Sequence, residues 1–487
     1  MLRRVLLAVA LTGTLLLAPT TAPSAEAASK KPAKVSSIRT ATTTSTMHIR
    51  WKRPKSVKKR VAVCVTTSPK KRCARFVRTT KTSVRFSKLK ASAGTDYYVR
   101  IRSYRGKRSS VTSWRKVNMK VGKGPAARPA ARPNAAAAVT WSRATNASSY
   151  QLQLSSSPSF RDHLKVADRR GLGANVTGLN GGMTYYARVR GINGPVKGPW
   201  GPVAQVRLPA TPIRATVATY NLCGENKCRT SDSGAWFLRN VPVWATRKPY
   251  AGALMRAAKP EIVAAQEAGT KTAFHTELPG FTRSAYKSSR SIYVKSSRFT
   301  ALDGGWMTLD DRNKRFATWN LLRDRGTGTA FYIVNAHLEP YKGAKLDALR
   351  NQQTARLIRR MQAMNVHGLP IIWAGDWNSN KSNANQSNYP GGYDAPKRRF
   401  NAIGVVNSVE QAAATENAEF NSANAGVKAP RRSGDHVDAI YVPQAGVRVE
   451  SWRMLMTLVE GANGPEYATP FPSDHNPLVA RLVIATG

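Results

Sequence analysis

Two kinds of hydrophobic pattern divide the chain. Up to about residue 209, apolar and polar positions alternate in short runs, as in Tyr97-Tyr98-Val99-Arg100-Ile101-Arg102. A period of two belongs to strands with one buried face. The stretch Gly94 to Arg102 returns as Gly182 to Arg190, with its paired tyrosines and spaced arginines kept. Trp51 is matched by Trp141, and Trp114 by Trp200. An early Trp and a late Tyr among several short strands predict a small antiparallel sandwich, made twice. The Tyr and Trp residues of both copies read as core.

From residue 214 the pattern changes. Strand-like runs at 215–222, 262–266, 331–336 and 371–374 alternate with helix-like stretches at 250–258 and 347–361. Such alternation predicts an α/β body with sheets covered by helices. Asn/Ser-rich loops at 379–393 and 420–434 interrupt it. The fold class expected is therefore multidomain: two small all-β sandwiches, then an α/β two-sheet sandwich. The first two segments, 33–121 and 134–209, resemble fibronectin type III modules through the core Trp and the Gly-x-x-Tyr-Tyr-x-x-Arg strand. Residues 122–133, rich in Gly, Pro, Ala and Arg, read as a semi-extended linker. A shorter join leads into the body at 213–487.

Composition adds compartment and partners. Arg3 and Arg4, the apolar run from Val5 to Ala18 and the small-x-small Ala25-Glu26-Ala27 read as a signal peptide over 1–27. An N-terminal anchor is the alternative, but the run is shorter than the ~20 residues a spanning helix needs. A secreted, extracellular protein without a transmembrane segment is expected. The four cysteines form two close pairs, Cys64 with Cys73 and Cys223 with Cys228. In an oxidising compartment these predict local disulfides, since no histidine stands at zinc-ligand spacing from either pair.

The formal net charge is +51. Residues 1–209 carry 42 of the 77 Lys and Arg but four of the 26 Asp and Glu, and residues 28–123 hold 29 bases against one acid. A field of that sign concentrates polyanions. Nucleic acid, an anionic cell-surface polymer and anionic lipid headgroups all satisfy it. Charge kept for solubility is the bland alternative.

Six polar clusters close the apolar runs of the body: Asn221 in Thr-Tyr-Asn-Leu, Glu267 in Ala-Gln-Glu-Ala, His337 in Val-Asn-Ala-His-Leu, Asp376 and Asn378 in Gly-Asp-Trp-Asn, Asp438 in His-Val-Asp-Ala, and Asp474-His475 in Ser-Asp-His-Asn. Phosphoester hydrolysis needs a hard cation on oxygen ligands, a base to activate water and donors for the phosphoryl oxygens. Glu267, Asp474 and Asn221 are ligands of the right type. Asp438 is placed to orient His475 as general base. Singly each cluster is weak, but their order and spacing together are specific.

On these residues the 213–487 segment resembles the endonuclease/exonuclease/phosphatase superfamily, which includes deoxyribonucleases, apurinic-site endonucleases, sphingomyelinases and inositol-phosphate phosphatases. The resemblance implies a two-sheet sandwich with its site at one end of the sheets. It puts Asn221, Glu267 and Asp474 at the metal, for which Mg²⁺ is expected, with Mn²⁺ or Ca²⁺ as substitutes. His337 falls on a phosphate-contacting or acid histidine, Asp376 and Asn378 on the pair that holds water and phosphate, and Arg315 on a phosphate-binding arginine. Tyr293 reads as core. His436 is either a contact to substrate or to a site residue, or a solvated edge. The expected function is a secreted metal-dependent phosphodiesterase, a nuclease acting on DNA or RNA. A sphingomyelinase-like lipid hydrolase is the first alternative; Thr457–Pro472 is the only late loop with apolar content. A polyanion-binding adhesive protein with an inactive enzyme fold is the second. Oligomeric state is not readable.

Overall fold

The computed structural model describes residues 31–57, 60–89, 95–161, 163–224, 243–269, 273–341, 343–382, 394–424 and 427–485, with the backbone alone over 163–167. The expected signal segment 1–27 and Cys228 lie outside the described residues. Contacts divide the chain into two compact units, Met1–Lys120 with Asn193–Val196, and Val121–Ile192 with Lys197–Gly487. Among the described residues, no helix is long and apolar enough to cross a membrane.

The first unit holds a three-stranded sheet (Ser36–Thr42, Met47–Lys52, Ser83–Phe86) and a five-stranded sheet (Arg75–Thr79, Val61–Thr66, Tyr97–Arg105, Arg108–Val111, with Arg115–Val117 also on the 97–105 strand). Their inner faces share one core of Trp51, Val61, Val63, Val65, Tyr97, Val99 and Ile101. Cys64 and Cys73 are disulfide-bonded, as expected. The paired tyrosines do not both enter the core. Tyr97 is buried and Tyr98 only half so, because successive strand residues point to opposite faces. Trp114 is likewise half-buried, under the guanidinium of Arg100 at 4.2 Å. Tyr186 and Trp200 repeat this in the second sandwich.

The expected linker 122–133 is partly strand. Arg128–Arg132 pairs with Ala136–Thr140 at the edge of a three-stranded sheet, where Pro129 is tolerated. Upstream, Gly124 donates its N–H to Pro199 O at 3.1 Å. A Cβ on Gly124 would meet Val189 O at 2.3 Å, so only glycine permits this approach. Gly, Pro and Ala are there for close packing rather than for reach.

The second sandwich and the α/β body fall in one unit. Gly181 N donates to Gly328 O at 2.8 Å, and Ala330 N to Gly181 O at 3.3 Å. Arg207 reaches His367 O at 2.8 Å and Arg323 reaches Gly178 O at 3.1 Å.

The body is two stacked sheets. Seven strands run in the order Phe281–Lys287, Arg290–Lys295, Ile262–Gln266, Ile213–Asn221, Leu478–Ile484, Val447–Met454, Thr415–Glu416. Six run in the order Phe299–Asp310, Arg315–Asp324, Ala330–His337, Ile371–Asp376, Asp438–Pro443, Val405–Asn407. Period-two alternation splits strand 213–221 between two cores. Ile213, Ala215 and Val217 face the other sheet, whereas Ala218 and Tyr220 face the helix Trp244–Ala258. The second long helix is Ala344–Met364. Its buried Arg350 donates to Glu339 O and Tyr341 O, at 2.9 and 2.7 Å, and so fixes the turn after His337. Both long helices and the four strands predicted for the body are present, with ends displaced by a few residues.

Candidate active site

Topology brings the six clusters to one edge. Strands 213–221 and 262–266 are parallel and end at Asn221 and Gln266, next to Glu267. Strands 330–337 and 371–376 are also parallel and end with His337 opposite Asp376. Strand 438–443 is antiparallel to 371–376 and begins with Asp438 opposite Asp376. Strand 478–484 is antiparallel to 213–221, which puts Asp474 and His475 just before it at the same end. Gly375 makes the crossing possible, since a Cβ there would meet Ala336 O at 2.3 Å.

The geometry at that edge is tight. His475 Nδ1 donates to Asp438 Oδ2 at 2.7 Å, leaving Nε2 facing Asp376 Oδ2 and Asp474 Oδ1, each at 4.0 Å. Asp438 is 1 % exposed, and its backbone N–H and that of Val437 both donate to Ser422 Oγ. Ser473 Oγ donates to Asn221 O at 2.6 Å, tying the first site strand to the last site loop. Burial acts to lower the pKa of His475, but Asp438, Asp474 and Asp376 outweigh it and hold the ring well above the usual value.

Asp376 lies at the centre. Its Oδ2 accepts from Asn221 Nδ2 at 2.9 Å and stands 3.4 Å from His337 Nε2. Its Oδ1 accepts the backbone N–H of Asn378 at 3.0 Å. Burial and the nearby Asp438 push the Asp376 carboxyl above the usual carboxylate range. Asn378 takes a left-handed φ of 51° and donates its side-chain N–H to Leu338 O at 3.2 Å. Among the described residues, Asp376, Asp438 and His475 form the one cluster of three acidic or histidine groups close enough to hold an ion. Asp438 is already engaged by the ring of His475 there.

The expected metal ligands, Asn221, Glu267 and Asp474, end or flank strands at this same edge. Glu267 has φ 52° at its strand end, a conformation that non-glycine residues hold mainly at functional sites. Asn221, Glu267 and Asp474 offer only oxygen atoms, a donor set that fits a hard divalent cation. Asn221 Oδ1 also accepts the backbone N–H of Cys223 at 3.0 Å. Cys223 is disulfide-bonded; its expected partner lies outside the described residues.

Two buried arginines here were not singled out from sequence. Arg247, 1 % exposed, projects from the 244–258 helix and donates to four carbonyls. These are Leu222 O (2.8 Å), Cys223 O (2.8 Å), Gly224 O (2.6 Å) and Pro472 O (2.7 Å). It thus clamps the loop after Asn221 to the loop before Asp474. Arg290, 4 % exposed, begins the strand next to Glu267. Its contacts are long, 3.3 Å to Ser289 Oγ and 3.4 Å to His337 O, and its Nε has no partner. Burial first, and the repulsion of Arg315 second, pull its guanidinium down to about 10. A lone Arg opening an apolar strand, in Ser-Ser-Arg-Ser, was the available signal. Arg315 itself pairs with Glu339 at 3.1 Å.

The remaining candidates resolve simply. Tyr293 is fully buried against Phe274, 6.1 Å between ring centroids. His436 is neither a solvated edge nor turned to the site. Its Nε2 lies 3.0 and 3.1 Å from Ala418 O and Phe420 O, and its ring packs on Trp452. Beside His475 an apolar groove of about 440 Å³ runs between the 244–258 helix and the 455–477 loop, lined by Tyr250, Leu254, Met456 and Phe471.

No protein-family model matches the chain, and no curated protein is significantly similar to it. Among solved structures it is similar to an endonuclease/exonuclease/phosphatase family protein from Bacteroides thetaiotaomicron (19% identity, 56% of this chain and 96% of that one, TM-score 0.45). It is also similar to a mannosyl-6-phosphatase from the same organism (21% identity, 55% and 100%, TM-score 0.43). A third is the human Nocturnin catalytic domain with bound sulfate (17% identity, 56% and 94%, TM-score 0.38). Likeness at this level carries no weight for mechanism, which rests on the side chains described above.

Proposed function

We propose that the chain is an exported, divalent-metal-dependent phosphoester hydrolase whose preferred substrate is the phosphodiester backbone of nucleic acid. The observation that carries the reading is the His475–Asp438 pair, with Nε2 of His475 turned toward Asp376 and Asp474. In this reading His475 Nε2 takes the proton of the attacking water, and Asp438 fixes the ring tautomer and balances its charge. Asp376 orients Asn221 and Asn378 around that water. His337, Arg315 and Arg290 face the phosphoryl oxygens, where donors held in a water-poor site act most strongly. Asn221, Glu267 and Asp474 would hold Mg²⁺, which when bound supplies positive charge to the phosphoryl oxygens. The disulfide at Cys64 and Cys73 supports export, and the basic excess of residues 1–209 supports a polyanionic substrate.

Arg290 is expected to bind anion without holding up the fold. Arg290→Gln should weaken competitive inhibition by orthophosphate about tenfold or more, the worth of a charge-assisted hydrogen bond. Inhibition constants for the two proteins measure this, with equal thermal melting as the control.

A second reading has one observation in its favour. The apolar groove beside His475 would take an acyl or other apolar group. The adjoining hairpin, Leu458–Gly461 with Gly464–Tyr467, bears no aromatic residue at its tip. Supplying plasmid DNA, RNA and sphingomyelin vesicles in parallel, each with Mg²⁺, separates the readings. Nicking of plasmid is expected; intact plasmid alongside hydrolysed vesicles would overturn the nucleic-acid assignment.

A further inference from the structure

We propose that the outer face of the first unit's five-stranded sheet is a second, non-catalytic site that binds single-stranded nucleic acid. Arg100 and Arg102 occupy the positions that Arg188 and Arg190 hold in the repeated strand of the second sandwich. There the guanidiniums are internally satisfied. Arg188 Nε donates to Gln153 Oε1 and Arg190 Nε to Gln151 Oε1, both at 2.8 Å, from directly opposite positions on the neighbouring strand. Phe160 and Trp200 cover Arg188 at 4.1 and 4.7 Å.

In the first unit the opposite positions are Cys64 and Ala62. Neither side chain can accept as a glutamine does. Among the described residues, Arg102 finds only Ser109 Oγ at 3.5 Å, and Arg100 lies over Trp114 at 4.2 Å without a carboxylate or amide partner. The same ladder is therefore left open, its donors directed outward.

The neighbours of these arginines say what would fill it. The register places Phe76, Cys64 and Arg100 in one row across the sheet, and Arg78, Ala62 and Arg102 in the next. Tyr98 stands beside them, opposite Thr66 and Lys116. Arg78 and Arg102 flank the buried Ala62 of the middle strand, two strand spacings, roughly 10 Å, apart. Phe76 is 50% exposed, with the guanidinium of Arg78 at 5.6 Å from its ring. The one acid between residues 28 and 123, Asp96, is held by Lys116 at 2.6 Å and by Asn118 at 3.0 Å.

A positive sheet face carrying partly exposed rings suits a chain with both negative charge and flat faces. Bases stack on Phe76 and Tyr98, and phosphates meet Arg78, Arg100 and Arg102. A polymer that is only anionic would have no use for the rings.

The test uses the full-length chain with His475→Ala, in chelator so that no cleavage intervenes. Affinities for a fluorescent oligothymidylate and for inorganic polyphosphate are compared, with and without the added pair Phe76→Ala and Tyr98→Ala. Both rings are at least partly exposed, and unchanged thermal melting confirms the fold. The expected result is about tenfold or greater loss of oligothymidylate affinity with polyphosphate affinity unchanged. Ultraviolet cross-linking should place the oligonucleotide on peptides containing Phe76 or Tyr98. Equal loss for both ligands, no loss for either, or cross-links confined to the α/β body would each overturn the proposal.

Discussion

His475→Ala is expected to lower phosphoester turnover on the order of 10⁴-fold or more, with the protein still folded. Nδ1 is committed to Asp438 at 2.7 Å, and Nε2 faces Asp376 and Asp474 at 4.0 Å, without a shorter hydrogen bond of its own. The neighbouring carboxylates keep the ring protonated well above its usual pKa while no cation offsets them. Asp474 and Glu267 would hold a divalent ion, whose positive charge would favour the neutral form of the His475 base. Chelation is therefore expected to withdraw the base as well as the ion. Asp438→Asn preserves shape but removes the charge and the tautomer control, so its loss should run in the same direction. Steady-state rates for the two variants, with circular dichroism melts beside them, provide the measurement. Retention of a tenth or more of the wild-type rate by His475→Ala would remove the assigned base.

The second large effect is at a residue that touches no substrate. Arg247→Met should destabilise the protein by about 3–5 kcal/mol, the range for breaking a buried charged network. The side chain is 1 % exposed, and its loss leaves four carbonyls short of a donor. Those carbonyls belong to the two loops that carry Asn221 and Asp474. The proposed metal-binding residues should therefore loosen before the fold is lost. Arg247→Lys, which keeps the charge but not the forked geometry, is the informative variant. It is expected to bind Mn²⁺ about 10- to 100-fold more weakly, as when groups that orient metal ligands are removed. Calorimetric titration with Mn²⁺ reads this directly. Lower stability with unchanged Mn²⁺ affinity would make Arg247 a purely structural residue.

Much of the site was legible in the sequence, for a reason that the topology makes plain. Asn221, Glu267, His337 and Asp376 each end or follow an apolar strand, and Asp438 and His475 precede one. When the strands are parallel and antiparallel in the right places, those ends coincide. The buried arginines were not legible. Arg247 sits in a helix containing Pro249 and other bases, where a long cation ordinarily points to solvent. Arg290 follows a serine-rich turn that reads as surface. Only the packing of helix and loops around them turns solvated-looking residues into interior ones. His436 failed in the opposite sense, since two carbonyls and the ring of Trp452 hold it away from the site. Within the sandwiches, alternation predicted the strands but not which member of each aromatic pair faced inward. The stretch 122–133 looked like a linker because composition does not distinguish reach from the close packing that Gly124 permits.

The central claim is metal-dependent phosphoester hydrolysis at this edge of the sheets. Its most direct test is the initial rate of plasmid and phosphomonoester hydrolysis by the full-length protein with Mg²⁺, after chelation and after Mg²⁺ is restored. Turnover with the ion, loss on chelation and recovery on readdition are expected. Turnover that persists in chelator, or no turnover of either phosphoester in excess Mg²⁺, would contradict the central claim.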